Sequence, residues 1–193
     1  MENPTKSRTM KKRDKTHHDI LTVAAELISA KGSLSVSLEE ISSQADVARK
    51  TIYNHFENKE ALINELFTPL CNHARAYLNR FDQEQALTLD HIWDYCLELW
   101  EQEDYHAMVL YQVSPEDYPN LSVIKDSFIF MFKKLMERIP ECSSRSDEER
   151  TQAANCIYLT YLPLLQVLEG RKNYQKAFRL AMTGLTRGVL LTD

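Results

Sequence analysis

Four glycines and six prolines in 193 residues leave this chain few places to turn. A many-stranded fold needs a turn signal roughly every 8–12 residues, whereas long helices need far fewer. The scarcity therefore favours an all-α architecture. Periodicity agrees. Leu89, Ile92, Trp93, Cys96, Leu97 and Trp100 recur at one face of a helix, over about 88–102, with Thr88 as its cap. Further helices are expected at about 104–112, 121–138, 147–169 and 173–190, punctuated by Pro115, Pro119 and Pro140. No apolar run is long enough to cross a bilayer, and the basic N-terminus lacks the apolar core of a signal peptide. The four cysteines are widely spaced with no C-x-x-C pair, which suits reduced, buried thiols in a cytoplasmic protein.

The net charge of −5 conceals an asymmetry. Residues 1–15 carry six Lys/Arg against two Asp/Glu, and residues 1–60 carry ten against nine. Residues 61–193 carry thirteen against nineteen. A basic head on an acidic body points to a polyanion at the head only.

The head resolves into short helices. Thr16 and Asp19 form a start signal, and Ile20, Leu21, Ala24, Ala25, Leu27 and Ile28 follow at helical spacing to a stop at Gly32, giving a helix over about 16–31. Ser37-Leu38-Glu39-Glu40 has the capping-box form and starts a second helix through Gln44. Ala45-Asp46-Val47 reads as a turn, with Asp46 able to adopt a left-handed backbone. A third helix runs from about Ala48 to Phe56, and Asn58 caps a fourth carrying Leu62, Ile63, Leu66 and Phe67. At about 100° per residue, Arg49, Tyr53, Lys50 and Asn54 share an arc of about 140° on the third helix. Ile52 and Phe56 point elsewhere, towards Ile41, Ala45 and Val47. Two short helices joined by a tight turn, the second with one apolar and one cationic-polar face, make a helix-turn-helix over about 37–56.

Residues 16–62 resemble the N-terminal domain of the TetR family of bacterial transcriptional regulators. The similarity lies in "ILTVAAELISAKG", "SLEEISSQADV" and above all "TIYNHFENKEAL". It covers about a quarter of the chain. The sequence departs from the family pattern at Asp46, where a turn glycine is usual, and at Ala48, where a Ser or Thr cap is usual. Residues 1–15 are expected to be a basic, flexible arm, and the resemblance implies 16–62 as the DNA-binding domain and 63–193 as an all-α effector-binding and dimerisation domain.

Roles follow partly from chemistry and partly from the resemblance. Arg49, Lys50 and Asn54 suit base edges in the major groove, with phosphate contact as the competing role. The resemblance puts Tyr53, Thr51, His55 and Lys59 against the DNA backbone. Ser37 is expected to cap the second helix and to be within reach of a phosphate. A dimer would read a palindromic operator with recognition helices about 34–36 Å apart.

In the body the resemblance implies a small-molecule pocket whose filling releases operator DNA. Trp93, Trp100, Met108, Tyr111, Phe128, Met131, Tyr158 and Tyr161 are candidate lining residues for an apolar or aromatic effector, and core packing is the alternative for each. Pro69 interrupts the helix begun at Asn58 and is either a hinge between head and body or a static kink. Residues 153–168 are apolar on nearly every face, and Ala177, Ala181, Gly184 and Gly188 form a small-residue stripe. With Ile157 and Leu164 they are the candidate interface of a homodimer. No phosphate loop, nucleophile elbow or metal-spaced ligand set is present, so no enzyme activity, metal or cofactor is expected. The alternative is a helical metabolite-binding protein or an enzyme without specific DNA affinity.

Overall fold

The computed structural model describes residues 4–82, 85–113, 118 and 120–191, with the side chains of 4–10, 102–107, 120 and 191 left aside. Its elements are α1 (Pro4–Lys31), a 3-10 turn (Ser33–Ser35), α2 (Leu38–Gln44), α3 (Arg49–His55), α4 (Lys59–Leu66), α5 (Thr68–Leu78), α6 (Leu89–Gln112), α7 (Asn120–Met136), α8 (Pro140–Ser143), α9 (Asp147–Leu168) and α10 (Tyr174–Leu191). Among the described residues there is no strand, and no helix is long and apolar enough to cross a membrane. The all-α expectation holds.

Internal contacts divide the chain into two compact units. One comprises Met1–Thr68 with Met108–Leu121, and the other Pro69–Ala107 with Ser122–Asp193. The first boundary thus falls after α4, whereas the sequence reading places it at residue 62.

In the first unit, α1 packs on α2 and α4, and α2 packs on α3. The core is Ile20, Ala24, Ala25 and Ile28 of α1 with Ile41, Ile52, Phe56, Leu62, Ile63 and Leu66. The expected apolar stripe of α1 is therefore the buried one, although Leu21 and Leu27 are only half-buried. The helix begins well before Thr16. The Thr16 hydroxyl donates to the Lys12 carbonyl at 3.0 Å, one turn back, so Thr16 is an interior residue and not a cap. Proline in the first turn costs no backbone hydrogen bond there. The segment read as a flexible arm is thus helical from Pro4. Gly32 ends α1 at φ 80, where its amide donates to the Ile28 carbonyl at 2.8 Å.

The second unit differs from expectation in three places. The charged run Glu101–Asp104 looks like a break between two helices, yet it contains no Gly or Pro, and α6 continues through it as one 24-residue helix. Pro69 does not kink a long helix. α4 stops at Leu66 with Phe67 as its cap, and Pro69 is the second residue of α5, where its missing N–H has no partner to lose. The short α8 opens with Pro140, which the sequence reading takes only as punctuation. At the starts of α6 and α9, side chains meet the first turn. The Thr88 amide and hydroxyl both meet His91 Nδ1, at 3.0 and 2.9 Å, at the start of α6. Ser146 and Glu149 form a reciprocal capping box at the start of α9.

Candidate nucleic-acid interface

The helix-turn-helix is held together by the turn between α2 and α3. Asp46 takes φ 51, the left-handed conformation for which glycine is the usual choice. Aspartate tolerates this region better than most residues, so the departure from the family pattern leaves the turn intact. The Val47 amide closes it on the Ser42 carbonyl at 3.0 Å. Ala48 occupies the N-cap of α3 in an extended conformation and offers no side-chain cap. Ser37 caps α2 as expected, its Oγ accepting from the Glu40 amide at 3.1 Å. The Glu40 carboxylate turns instead to Lys31 of α1 at 2.5 Å, so only half of the expected box is used.

α3 is seven residues long and too short to hold its shape alone in water. Ile52 and Phe56 are buried and anchor it, each contributing about 1.5–3 kcal/mol of burial. The opposite face is open: Arg49, Lys50 and Asn54 are exposed, Tyr53 is 45% exposed, and Thr51 and His55 are half-buried. The structure therefore brings the base-reading candidates together on one surface.

Three neighbouring contacts were not legible in the sequence. Arg49 Nη2 pairs with Glu39 Oε1 of α2, and the guanidinium is held in its charged form by the Tyr53 hydroxyl beside it and then by Glu39. Lys59 Nζ donates to the Ser33 carbonyl, tying the start of α4 to the segment between α1 and α2. His17 of α1 lies between the ends of α3 and α4, with Nε2 2.7 Å from Glu65 Oε1 and Nδ1 3.2 Å from His55 Nδ1. Its ring stacks on Phe56 at 4.8 Å. Residues this far apart in sequence give no pairing signal.

In the second unit the aromatic candidates are packed side chains. Trp93 donates from Nε1 to the Thr183 hydroxyl at 2.9 Å and meets Phe178 edge-on at 6.3 Å. Phe128 lies 6.5 Å from Tyr158, and Phe132 lies 6.1 Å from Tyr161. Burial raises the Tyr158 phenol to about 12. Trp100 and Met131 are also buried, whereas Met108 and Tyr111 belong to the first unit and are half-buried there. Tyr95, outside the candidate set, is buried among His73, Tyr77 and Phe132, and its hydroxyl has no hydrogen-bond partner among the described residues.

The helices read as an interface pack on each other, α9 against α10. Phe178, Met182, Thr186 and Leu190 of α10 face inward. Ala177, Ala181, Gly184 and Gly188 face outward, and a Cβ at either glycine would meet nothing within 4 Å. Leu180 at 76%, Val167 at 67% and Leu159 at 56% exposure lie on these outer faces. Ile157 is a correction: it is fully buried in its own subunit and has no surface to offer a second copy. Leu164 is half-buried.

Together these features define a helix-turn-helix DNA-binding module attached to an all-α unit. The family model for bacterial regulatory proteins of the tetR family matches residues 20–66, which span α1 to the end of α4. A putative mycofactocin biosynthesis transcriptional regulator, MftR, of Mycobacterium tuberculosis is 37% identical over 59 residues, 31% of this chain. The matched stretch spans only 30% of that relative's length. The whole fold is shared with NalD, the secondary repressor of the MexAB-OprM multidrug efflux pump in Pseudomonas aeruginosa. The TM-score is 0.68 at 24% identity, covering 95% of this chain and all of that one. A tetR-family regulatory protein from Rhodococcus RHA1 superposes with a TM-score of 0.71 at 18% identity, covering 93% and 99% of the two chains. Residues 20–66 thus match the tetR-family model, and the chain has the fold of these solved regulators.

Proposed function

We propose that this chain is a dimeric transcriptional repressor that binds a palindromic operator and leaves it when a small molecule fills the second unit. The observation that carries the DNA-binding reading is the open face of α3. Arg49, Lys50, Tyr53 and Asn54 stand together in solvent on a helix anchored from behind by Ile52 and Phe56. Such a face is unneeded for folding and suits a major groove lined by phosphates. In this reading Arg49, Lys50 and Asn54 address base edges, while Tyr53, Thr51 and Ser37 address the backbone. Lys59 supports them by bracing the segment before α2 as well as adding charge. His55 contributes through its free ring edge, since Nδ1 is engaged by His17.

The outward faces of α9 and α10 support an isologous dimer, in which Leu159, Leu180, Ala181, Gly184 and Gly188 meet their counterparts. The aromatic interior of the second unit supports an apolar or aromatic effector. The Tyr95 hydroxyl offers such a molecule a hydrogen bond.

Fluorescence anisotropy with genomic fragments of the source organism tests the reading. Selective binding to some fragments, weakening steeply with salt, is expected. Absence of selective binding to any fragment would leave the metabolite-binding alternative standing. Lys59→Ala should weaken binding to all sequences alike.

A further inference from the structure

We propose that Glu39 is a positioning residue that fixes Arg49 for reading a base pair rather than a phosphate; the proposal rests on the DNA-binding reading above. Arg49 opens α3 and Glu39 lies in the first turn of α2, so the Glu39–Arg49 ion pair crosses the helix-turn-helix. Both side chains are largely exposed, and exposed pairs contribute little to stability. The consequence of this pair is therefore where the guanidinium is held. Lys50 and Asn54, on the same face, have no side-chain partner among the described residues.

The chemistry of the fork makes the restraint selective. A guanidinium has five N–H donors, and one carboxylate oxygen on Nη2 leaves the rest free to address O6 and N7 of a guanine. Glu39 also carries a negative charge beside the Arg49 guanidinium, which would repel a phosphate brought to it. A swing of Arg49 onto the backbone would break the ion pair and leave the carboxylate facing a phosphate. Reading a base edge keeps the pair. The competition between base and phosphate that the sequence leaves open at Arg49 is thus decided by a residue on the other helix.

The test compares full-length wild type, Glu39→Gln and Glu40→Gln by selection from a duplex library with a randomised core, followed by salt titrations on a random-sequence duplex. Glu40→Gln makes the same charge change in the same helical turn, but its partner is Lys31 of α1. Glu39→Gln should lower preference at one base pair per half-site by about tenfold. Freed Arg49 should then take a phosphate, steepening the salt slope by about one unit. Glu40→Gln should leave the base preferences as they are. In the double variant Glu39→Gln/Arg49→Ala, the profile should match that of Arg49→Ala alone. An unchanged profile in Glu39→Gln, or an equal gain of affinity on every sequence, overturns the assignment. A change in melting temperature alone, equal in the two glutamine variants, marks Glu39 as merely structural and also overturns it. Wild type that selects no sequence overturns the DNA-binding reading itself.

Discussion

The recognition helix and the α9–α10 pair differ in what they leave in water. α3 is seven residues long and exposes cations, an amide and a phenol, whereas α9 and α10 are 22 and 18 residues long and expose leucine, valine and glycine. A short polar helix cannot supply its own stability, so α3 is fixed by Ile52 and Phe56 behind it and by the Asp46 turn before it. The long helices already bury a full apolar face against their own unit, and the apolar side chains left over have no role within the subunit. Polar exposure on a borrowed scaffold suits a polyanion. Apolar exposure on a self-sufficient one suits another apolar surface.

The largest expected effect breaks the apolar side of this contrast. Leu180→Asp puts a charge where the subunit alone makes no demand, since Leu180 is 76% exposed. In an isologous dimer it would bury two unpaired carboxylates and cost about 2–5 kcal/mol of association per pair. Sedimentation equilibrium should show a shift towards monomer with helical content unchanged. Gly188→Leu should act in the same direction while slightly favouring helix in the isolated subunit, because a Cβ there meets nothing within 4 Å. A variant that associates as tightly as wild type would remove α10 from the interface.

A smaller effect sharpens the polar side. Asp46 is the non-glycine residue at φ 51 on which the approach of α3 depends. Asp46→Val should lower the stability of the first unit by about 1–2 kcal/mol, because a β-branched side chain is strained in the left-handed region. Asp46→Gly should restore the turn at little cost. Hydrogen exchange of α2 and α3 amides reads both, and equal protection in the valine variant would mean that the turn carries no strain.

Much of this contrast was legible because it is local. The cap at Ser37, the left-handed Asp46, the anchor pair Ile52 and Phe56 and the start of α4 at Asn58 all follow from side-chain chemistry within a few residues. The small-residue stripe of α10 was visible as a helical period and does face outward. What escaped depends on distance in sequence. Glu39 against Arg49, Lys59 against the Ser33 carbonyl, and His17 against His55 and Glu65 each join separate helices. Periodicity also cannot tell which side of an all-apolar helix is outer, so Ile157 was assigned to the surface and lies in the core. Composition along residues 93–132 is likewise blind to the division that assigns Met108 and Tyr111 to the first unit.

The smallest expected effect concerns the histidines behind the recognition helix. His17 Nε2 donates to Glu65, which leaves His17 Nδ1 as the acceptor for His55 Nδ1–H. His55 is held below its ordinary value because burial disfavours the imidazolium, with His17 and Arg13 adding repulsion and Glu65 opposing them. A histidine that is harder to protonate when folded binds fewer protons than in the unfolded chain at pH values below its ordinary value of about 6.5. Stability should therefore be complete above that value and decline as pH falls from there to the folded value, levelling off beneath it. The sign is the reverse of that for a histidine stabilised by a partner. The decline should appear as faster exchange of α3 and α4 amides between pH 7.5 and 5.5, after correction for intrinsic rates, and His55→Gln should flatten it. The α9–α10 pair has no histidine, so its amides serve as the internal reference. Equal loss of protection in both regions would place the titration elsewhere in the chain.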